Sequence, residues 1–188
     1  MWLFRSGEDG LPPVVLYHYT ETRARYNAVD FLDGFSDGYL ETDGYQGYNN
    51  LSGIRRCSCG AHTRRYFIDA VPKGKQYDYS NPAVQGVQFC SKLFEYERRS
   101  QNKKHTYEQR KAYRLEKEKP IPDEFWNWLD KQKPRKESRF EATVKYAQNR
   151  KDTLMTYLLE DRPSEDMLDE QLEALTPWSK EVQNVCKN

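Results

Sequence analysis

The sequence predicts an α/β chain of the segregated, α+β kind, with a strand-rich first part and an all-helical second part. Three observations predict it. Short β-branched and aromatic runs alternate with turn clusters up to about residue 71. From Pro82 onward, apolar residues recur at helical spacing. Glycine is absent after Gly86, which fits an all-helical second part.

The elements follow in order. Trp2-Leu3-Phe4 is a short apolar strand that ends in the turn cluster Ser6-Gly7-Glu8-Asp9-Gly10. Val14 to Tyr19 is β-branched and aromatic, and pairs with the first strand as a hairpin. Ala24 to Phe35 carries Ala28, Phe31, Leu32 and Phe35 at helical spacing. Tyr39 to Thr42 is a third strand, closed by Asp43-Gly44, and Ile54 to Cys59 is a fourth. A helix runs from about His62 to Val71, before Pro72. In the second part, Val84, Val87, Phe89, Leu93, Phe94 and Tyr96 mark one helix and Tyr107 to Lys119 another. Asp123 to Lys131 follows Pro120 and Pro122, with Phe125, Trp126, Trp128 and Leu129 as its apolar face, and Glu141 to Leu159 is the last helix.

The chain has 188 residues, enough for one domain with an appendage and for a sizeable core. Only 37% of it is hydrophobic, and mean hydropathy is −1.04, so much of the length is solvated surface. No apolar run reaches the roughly 18 residues of a membrane span, and the apolar start is too short for a signal peptide. The expectation is a soluble, cytoplasmic protein. Cys57, Cys59, Cys90 and Cys186 show no disulfide-scaffold spacing, which suits a reducing compartment.

Thirty Lys and Arg face 29 Asp and Glu, a net charge of +1 that hides a segregated pattern. Residues 98–119 hold Arg98, Arg99, Lys103, Lys104 and five further cations against Glu108, Glu116 and Glu118. Residues 160–173 are acidic. A basic helical stretch is either a solvated face or a phosphate-contacting one, and the pattern favours the former.

Asp43 is the first candidate for chemistry. A carboxylate at the end of a strand can project into the crevice where α/β sheets take ligands, and phosphoryl-transfer nucleases gather carboxylates around Mg²⁺. Asp-Gly is also a common turn pair, so a turn role stands beside the metal role. Cys57-x-Cys59-x-x-His62 suggests zinc, but no second close pair completes four ligands. A buried cysteine near a hydrogen-bonding histidine fits these residues better. Tyr45, Tyr48, Trp126 and Trp128 could stack on bases, though their spacing fits core packing. No glycine-rich phosphate loop or nucleophile elbow is present, which places other enzyme classes low.

Taken together, these stretches resemble the insertion sequence 66 family of transposases. The matching residues are Tyr39-Leu40-x-Thr42-Asp43-Gly44-Tyr45-x-Gly47-Tyr48, then Cys59-x-Ala61-His62-x-Arg64-Arg65-x-Phe67, then Cys90-x-x-Leu93-Phe94. Leu175-x-Pro177-Trp178-Ser179, Val182 and Cys186 extend the match to the end of the chain.

The resemblance implies a ribonuclease H-like core in which two Asp and one Glu bind Mg²⁺, with Asp43 as the second Asp, both catalytic residue and metal ligand. Cys59 and His62 fall on the family's Cys-x-x-His core motif, with Gly60 where the family usually has Trp. DNA at transposon ends is the implied partner, in a bacterial cytoplasm. Arg64, Arg65, Arg98, Arg99, Lys103 and Lys104 are the candidate DNA contacts. The implied organisation is a partial catalytic core over 1–75, a helical insertion over 76–158 and an acidic tail over 159–188.

Two departures shape the expectation. The family's first Asp precedes the Trp-Leu strand and has no counterpart before Trp2. The Asn-rich segment carrying the Glu has none between Leu158 and Glu160. The chain therefore reads as an internally deleted transposase, inert alone and binding Mg²⁺ weakly if at all. Trp2, Phe4, Val15 and Tyr17 are expected to lie partly exposed, favouring self-association or pairing with an intact transposase. A DNA-binding or transposase-binding regulatory module is the alternative.

Overall fold

The computed structural model describes residues 1–6, 12, 14–36, 38–49 and 51–159. The acidic stretch from Glu160 and the motif from Leu175 to Cys186 lie outside these residues.

Strands β1 (Trp2–Arg5) and β2 (Val15–His18) form the expected antiparallel hairpin, with Leu3 opposite Tyr17 and Phe4 opposite Leu16. Alternation sends Trp2 and Phe4 inward and Leu3 outward. Trp2 is fully packed, against the expectation of exposure, because Tyr45 and Tyr48 meet its ring at 6.1 and 5.7 Å. Phe4 stacks on Phe31 at 4.2 Å and is half-buried. Val15 and Tyr17 are exposed, as expected. Helix α1 (Arg25–Phe31) is shorter than its apolar spacing suggested. The chain turns out of it, and the Phe35 N–H caps the Leu32 carbonyl.

Strands β3 (Tyr39–Thr42) and β4 (Arg55–Ser58) pair in parallel, Thr42 level with Ser58. A crossover carrying a short 3₁₀ turn at Gln46–Tyr48 joins them. Helix α2 (Gly60–Ala70) leaves β4 directly.

The helical part contains α3 (Pro82–Asn102), α4 (Tyr107–Tyr113), α5 (Pro120–Leu129), α6 (Arg139–Gln148) and α7 (Lys151–Met155). Its starts are chemically marked. The Asn81 side chain caps α3 with Pro82 in the first turn, Thr106 and Gln109 make a reciprocal capping box on α4, and Ser138 caps α6. The helix read over 107–119 becomes a π-helical turn at Arg114–Glu118. Pro120 then opens α5 earlier than the spacing suggested, since proline suits a first helical turn. The single helix read from Glu141 to Leu159 is broken at Asn149–Arg150, and a 3₁₀ turn at Thr156–Leu158 follows α7.

The main core joins α2, α3, α5 and α6 through Phe67, Cys90, Phe125, Trp126, Leu129, Val144 and Ala147. Gly86 makes this packing possible: a Cβ there would sit 2.2 Å from the Phe67 ring. Ser58 Oγ meets Thr153 Oγ1 at 2.6 Å and ties β4 to α7. That contact brings the α6–α7 break beside the C-terminal ends of β3 and β4.

Candidate functional site at the end of the parallel strand pair

Asp43 is the first residue beyond β3. Its Oδ1 accepts from the Tyr45 N–H at 2.9 Å, the turn role that the Asp-Gly pair suggested. Its Oδ2 accepts from Arg23 at 3.1 Å. Arg23 is held over Tyr45 at 4.6 Å and Trp2 at 5.8 Å, and its carbonyl accepts from the Tyr45 hydroxyl.

Two more guanidinium groups reach the same loop. Arg56 on β4 donates to the Asp43 carbonyl at 3.2 Å, to Thr42 Oγ1 at 2.9 Å and to Asn49 Oδ1. Arg150, at the break between α6 and α7, donates to the Gly44 carbonyl at 2.8 Å and to the Tyr146 carbonyl at 3.1 Å. Its guanidinium lies 3.9 Å over Tyr146, which stacks on Tyr66 at 3.9 Å. Gly44 permits this approach, because a Cβ would come within 2.8 Å of both Arg150 and Tyr146. Burial, and then the nearby Arg150 charge, hold the Arg56 pKa below its ordinary value despite Asp43. The Tyr146 and Tyr48 hydroxyls are pushed up, chiefly by burial.

Mg²⁺, expected from the resemblance, needs several hard oxygen donors. Asp43 has committed one oxygen to a guanidinium and the other to an amide. Among the described residues, no group of three or more His, Cys, Asp or Glu is gathered to hold a metal ion. What surrounds the carboxylate is arginine, so the described residues do not fit the ion.

Cys59 and His62 flank the start of α2. Burial and an acceptor on Glu41 push the Cys59 thiol up, which disfavours a metal-binding thiolate. His62 Nδ1 is buried without a hydrogen-bond partner. Arg64 donates to Ser91 Oγ at 3.0 Å, bracing α2 on α3, while Arg65 is exposed. Arg98, Arg99, Lys103 and Lys104 are exposed at the far end of α3, where Arg99 pairs with Glu95 and Lys103 lies over Tyr113. Trp126 is buried and Trp128 donates to Gln85, so both tryptophans pack as the spacing suggested. Arg23, Arg56 and Arg150 went unremarked in the sequence because Arg23 and Arg150 lie between regular elements and Arg56 follows Arg55 in β4, so no local pattern sets any of them apart. Only the parallel pairing and the α6 break bring them together.

The model of the Transposase IS66 family matches residues 1–166. The chain belongs to this family. It is 28% identical over 137 residues to an uncharacterized Sinorhizobium fredii (strain NBRC 101917 / NGR234) protein, y4hP, covering 65% of this chain and 24% of that one. A second uncharacterized protein of the same strain, y4jD, is 31% identical over 103 residues, covering 50% and 19%. The chain thus spans a quarter or less of the length of the curated relatives it matches. No solved structure matches it significantly. Among the described residues, no helix of this IS66-family chain is long and apolar enough to cross a membrane.

Proposed function

We propose that this IS66-family chain is a fragment of a DDE-type DNA transposase and performs no phosphoryl transfer by itself. On this reading, residues 1–75 are a partial ribonuclease H-like core, 76–158 a helical insertion and 159–188 an acidic tail. The parent enzyme uses Mg²⁺ to cut and join transposon ends, in the bacterial cytoplasm. The observation that carries the reading is the state of Asp43: both oxygens are engaged, by Arg23 and the Tyr45 amide, amid guanidinium groups. One carboxylate so engaged does not organise ions that shed hydration water reluctantly.

The test is strand cleavage and joining by the purified chain with Mg²⁺ or Mn²⁺, beside calorimetric titration of either ion. No cleavage and no binding are expected. Cleavage abolished by Asp43→Ala, or tight ion binding lost in Asp43→Asn, would overturn the reading.

The second reading, a DNA-binding or transposase-binding regulatory module, draws support from the arginines at the Asp43 loop. Salt-sensitive oligonucleotide binding would favour the DNA form. Co-purification with an intact transposase would favour the other.

A further inference from the structure

We propose that the Asp43–Gly44 loop is an anion site, in which Arg23, Arg56 and Arg150 hold a phosphoryl oxyanion where a metal-dependent relative would hold a cation. This rests on the reading that no metal-loaded site assembles here.

The geometry is specific. Three guanidinium groups hydrogen-bond to two successive residues, through Asp43 Oδ2, the Asp43 carbonyl and the Gly44 carbonyl. Three cations against one carboxylate leave two positive charges at one loop. A guanidinium offers five N–H donors. The bonds above use three on Arg56 and two on Arg150. Nε of Arg150 is buried with no hydrogen-bond partner, a costly state that an acceptor would relieve.

The forks are also preorganised. Carbonyl acceptors and the Tyr146–Tyr66 stack fix Arg150, and Thr42 and Asn49 fix Arg56. Little side-chain freedom is left to lose on binding. The loop lies at the C-terminal ends of paired parallel strands, the edge at which α/β sheets present ligands. Planar forks suit the oxygens of a phosphoryl group. Among the described residues bonded to these guanidinium groups, Asp43 is the carboxylate that opposes an anion, and Arg23 already offsets it.

This inverts the role of Asp43. As a metal ligand it would be required for binding; as a counter-charge it weakens binding. The experiment is calorimetric titration of the full chain with inorganic phosphate and, separately, with a short single-stranded oligonucleotide. Wild type, Asp43→Asn and Arg150→Gln are compared, with and without Mg²⁺. Asp43→Asn should tighten anion binding by about three- to ten-fold and Arg150→Gln should weaken it by about ten-fold, given charges a few ångströms apart in a half-buried site. Mg²⁺ should add nothing.

Binding of inorganic phosphate assigns the site to the free anion; binding of the oligonucleotide alone assigns it to a nucleic-acid backbone. A tighter Asp43→Asn variant cannot be explained by misfolding. No binding in wild type and Asp43→Asn alike, or binding lost in Asp43→Asn, overturns the proposal. Absence of both anion and Mg²⁺ binding would sink this inference and leave the inert-fragment reading intact. Mg²⁺ binding lost in Asp43→Asn would sink that reading first.

Discussion

The two parts of this molecule are held together by different forces. The helical part, together with α2 packed on it, is organised around fully buried apolar side chains, with Phe67 of α2 and Leu129 at zero exposure. The strand part has Trp2 at its centre, but around it aromatic faces, arginines and backbone carbonyls do most of the joining. Its outer surface leaves Leu3, Val15, Tyr17 and Tyr19 exposed. Burial is non-directional and survives small displacements, whereas arginine–carbonyl bonds are directional and do not. One half is therefore a scaffold, and the other half, which carries Asp43, depends on it for position.

The sharpest way to break this contrast is at Phe67. Its ring touches α3 at Gly86 and stands edge-on to Phe125, so Phe67→Ala empties the junction of three helices. A loss of about 3–5 kcal/mol is expected in denaturant unfolding. A loss under about 1 kcal/mol would mean that the helical part is not the scaffold.

Next in size is an effect of pH. Glu118 lies in the π-helical turn with no exposed surface, and neither carboxylate oxygen has a hydrogen-bond donor. Arg114 beside it is bonded instead to Glu97 and to the Tyr157 carbonyl. Burial first, and Glu97 second, push the Glu118 carboxyl up to about 8. The folded state thus holds a proton that the unfolded chain releases near the ordinary glutamate value. Its stabilising effect is complete below about pH 4.5 and is lost as pH rises toward 8. A loss on the order of 2–4 kcal/mol between pH 5 and 9 is expected in wild type, and Glu118→Gln should flatten that slope. An unchanged slope in the variant would show that another group titrates.

Gly44→Ala tests the strand part at a smaller scale. The added methyl collides with the tips of Arg150 and Tyr146, which can swing aside. Stability should fall by only about 1 kcal/mol by thermal unfolding, while phosphate affinity falls with the displaced guanidinium. Equal losses in Gly44→Ala and Phe67→Ala would erase the distinction between site and scaffold.

This division also explains what the sequence disclosed. Elements set by periodicity or caps were legible: the hairpin, β3, β4, helices α2 and α5 to within a few residues, and the starts of α3 and α4, although α4 gives way to a π-helical turn at Arg114. The break at Asn149–Arg150 was not, because no glycine or proline marks it and the apolar spacing runs through it. Docking against β4 at Ser58–Thr153 accompanies the break, and that is a tertiary contact. Asp43 was legible as a strand-end acid, but its guanidinium neighbours come from α1's approach, β4 and the α6–α7 junction, some 20, 13 and 107 residues away. No local pattern records such distances. Trp2 was misjudged for the same reason, since Tyr45 and Tyr48 cover it from a loop whose path the sequence does not specify.

The smallest expected effect lies in the basic run. The sequence offered residues 98–119 as a solvated basic face first and a DNA-contacting one second, and the fold pairs much of its charge internally. Arg99 meets Glu95 at 2.5 Å, Lys117 meets Glu116 at 2.6 Å, Lys119 meets Asp123 at 3.5 Å, and Arg114 is buried with Glu97. An exposed pair such as Glu95–Arg99 contributes little, so Arg99→Ala should change stability by less than about 0.5 kcal/mol. Each cation that contacts a phosphate adds about one to the slope of log affinity against log salt. Replacing Arg98, Lys103 and Lys104 together by alanine should therefore lower the oligonucleotide slope by less than about one, while Arg56→Gln and Arg150→Gln each lower it by about one. A drop of two or more in the triple variant would move the nucleic-acid face to the end of α3. The arginines at Asp43 would then serve only to brace the loop on the helices behind it.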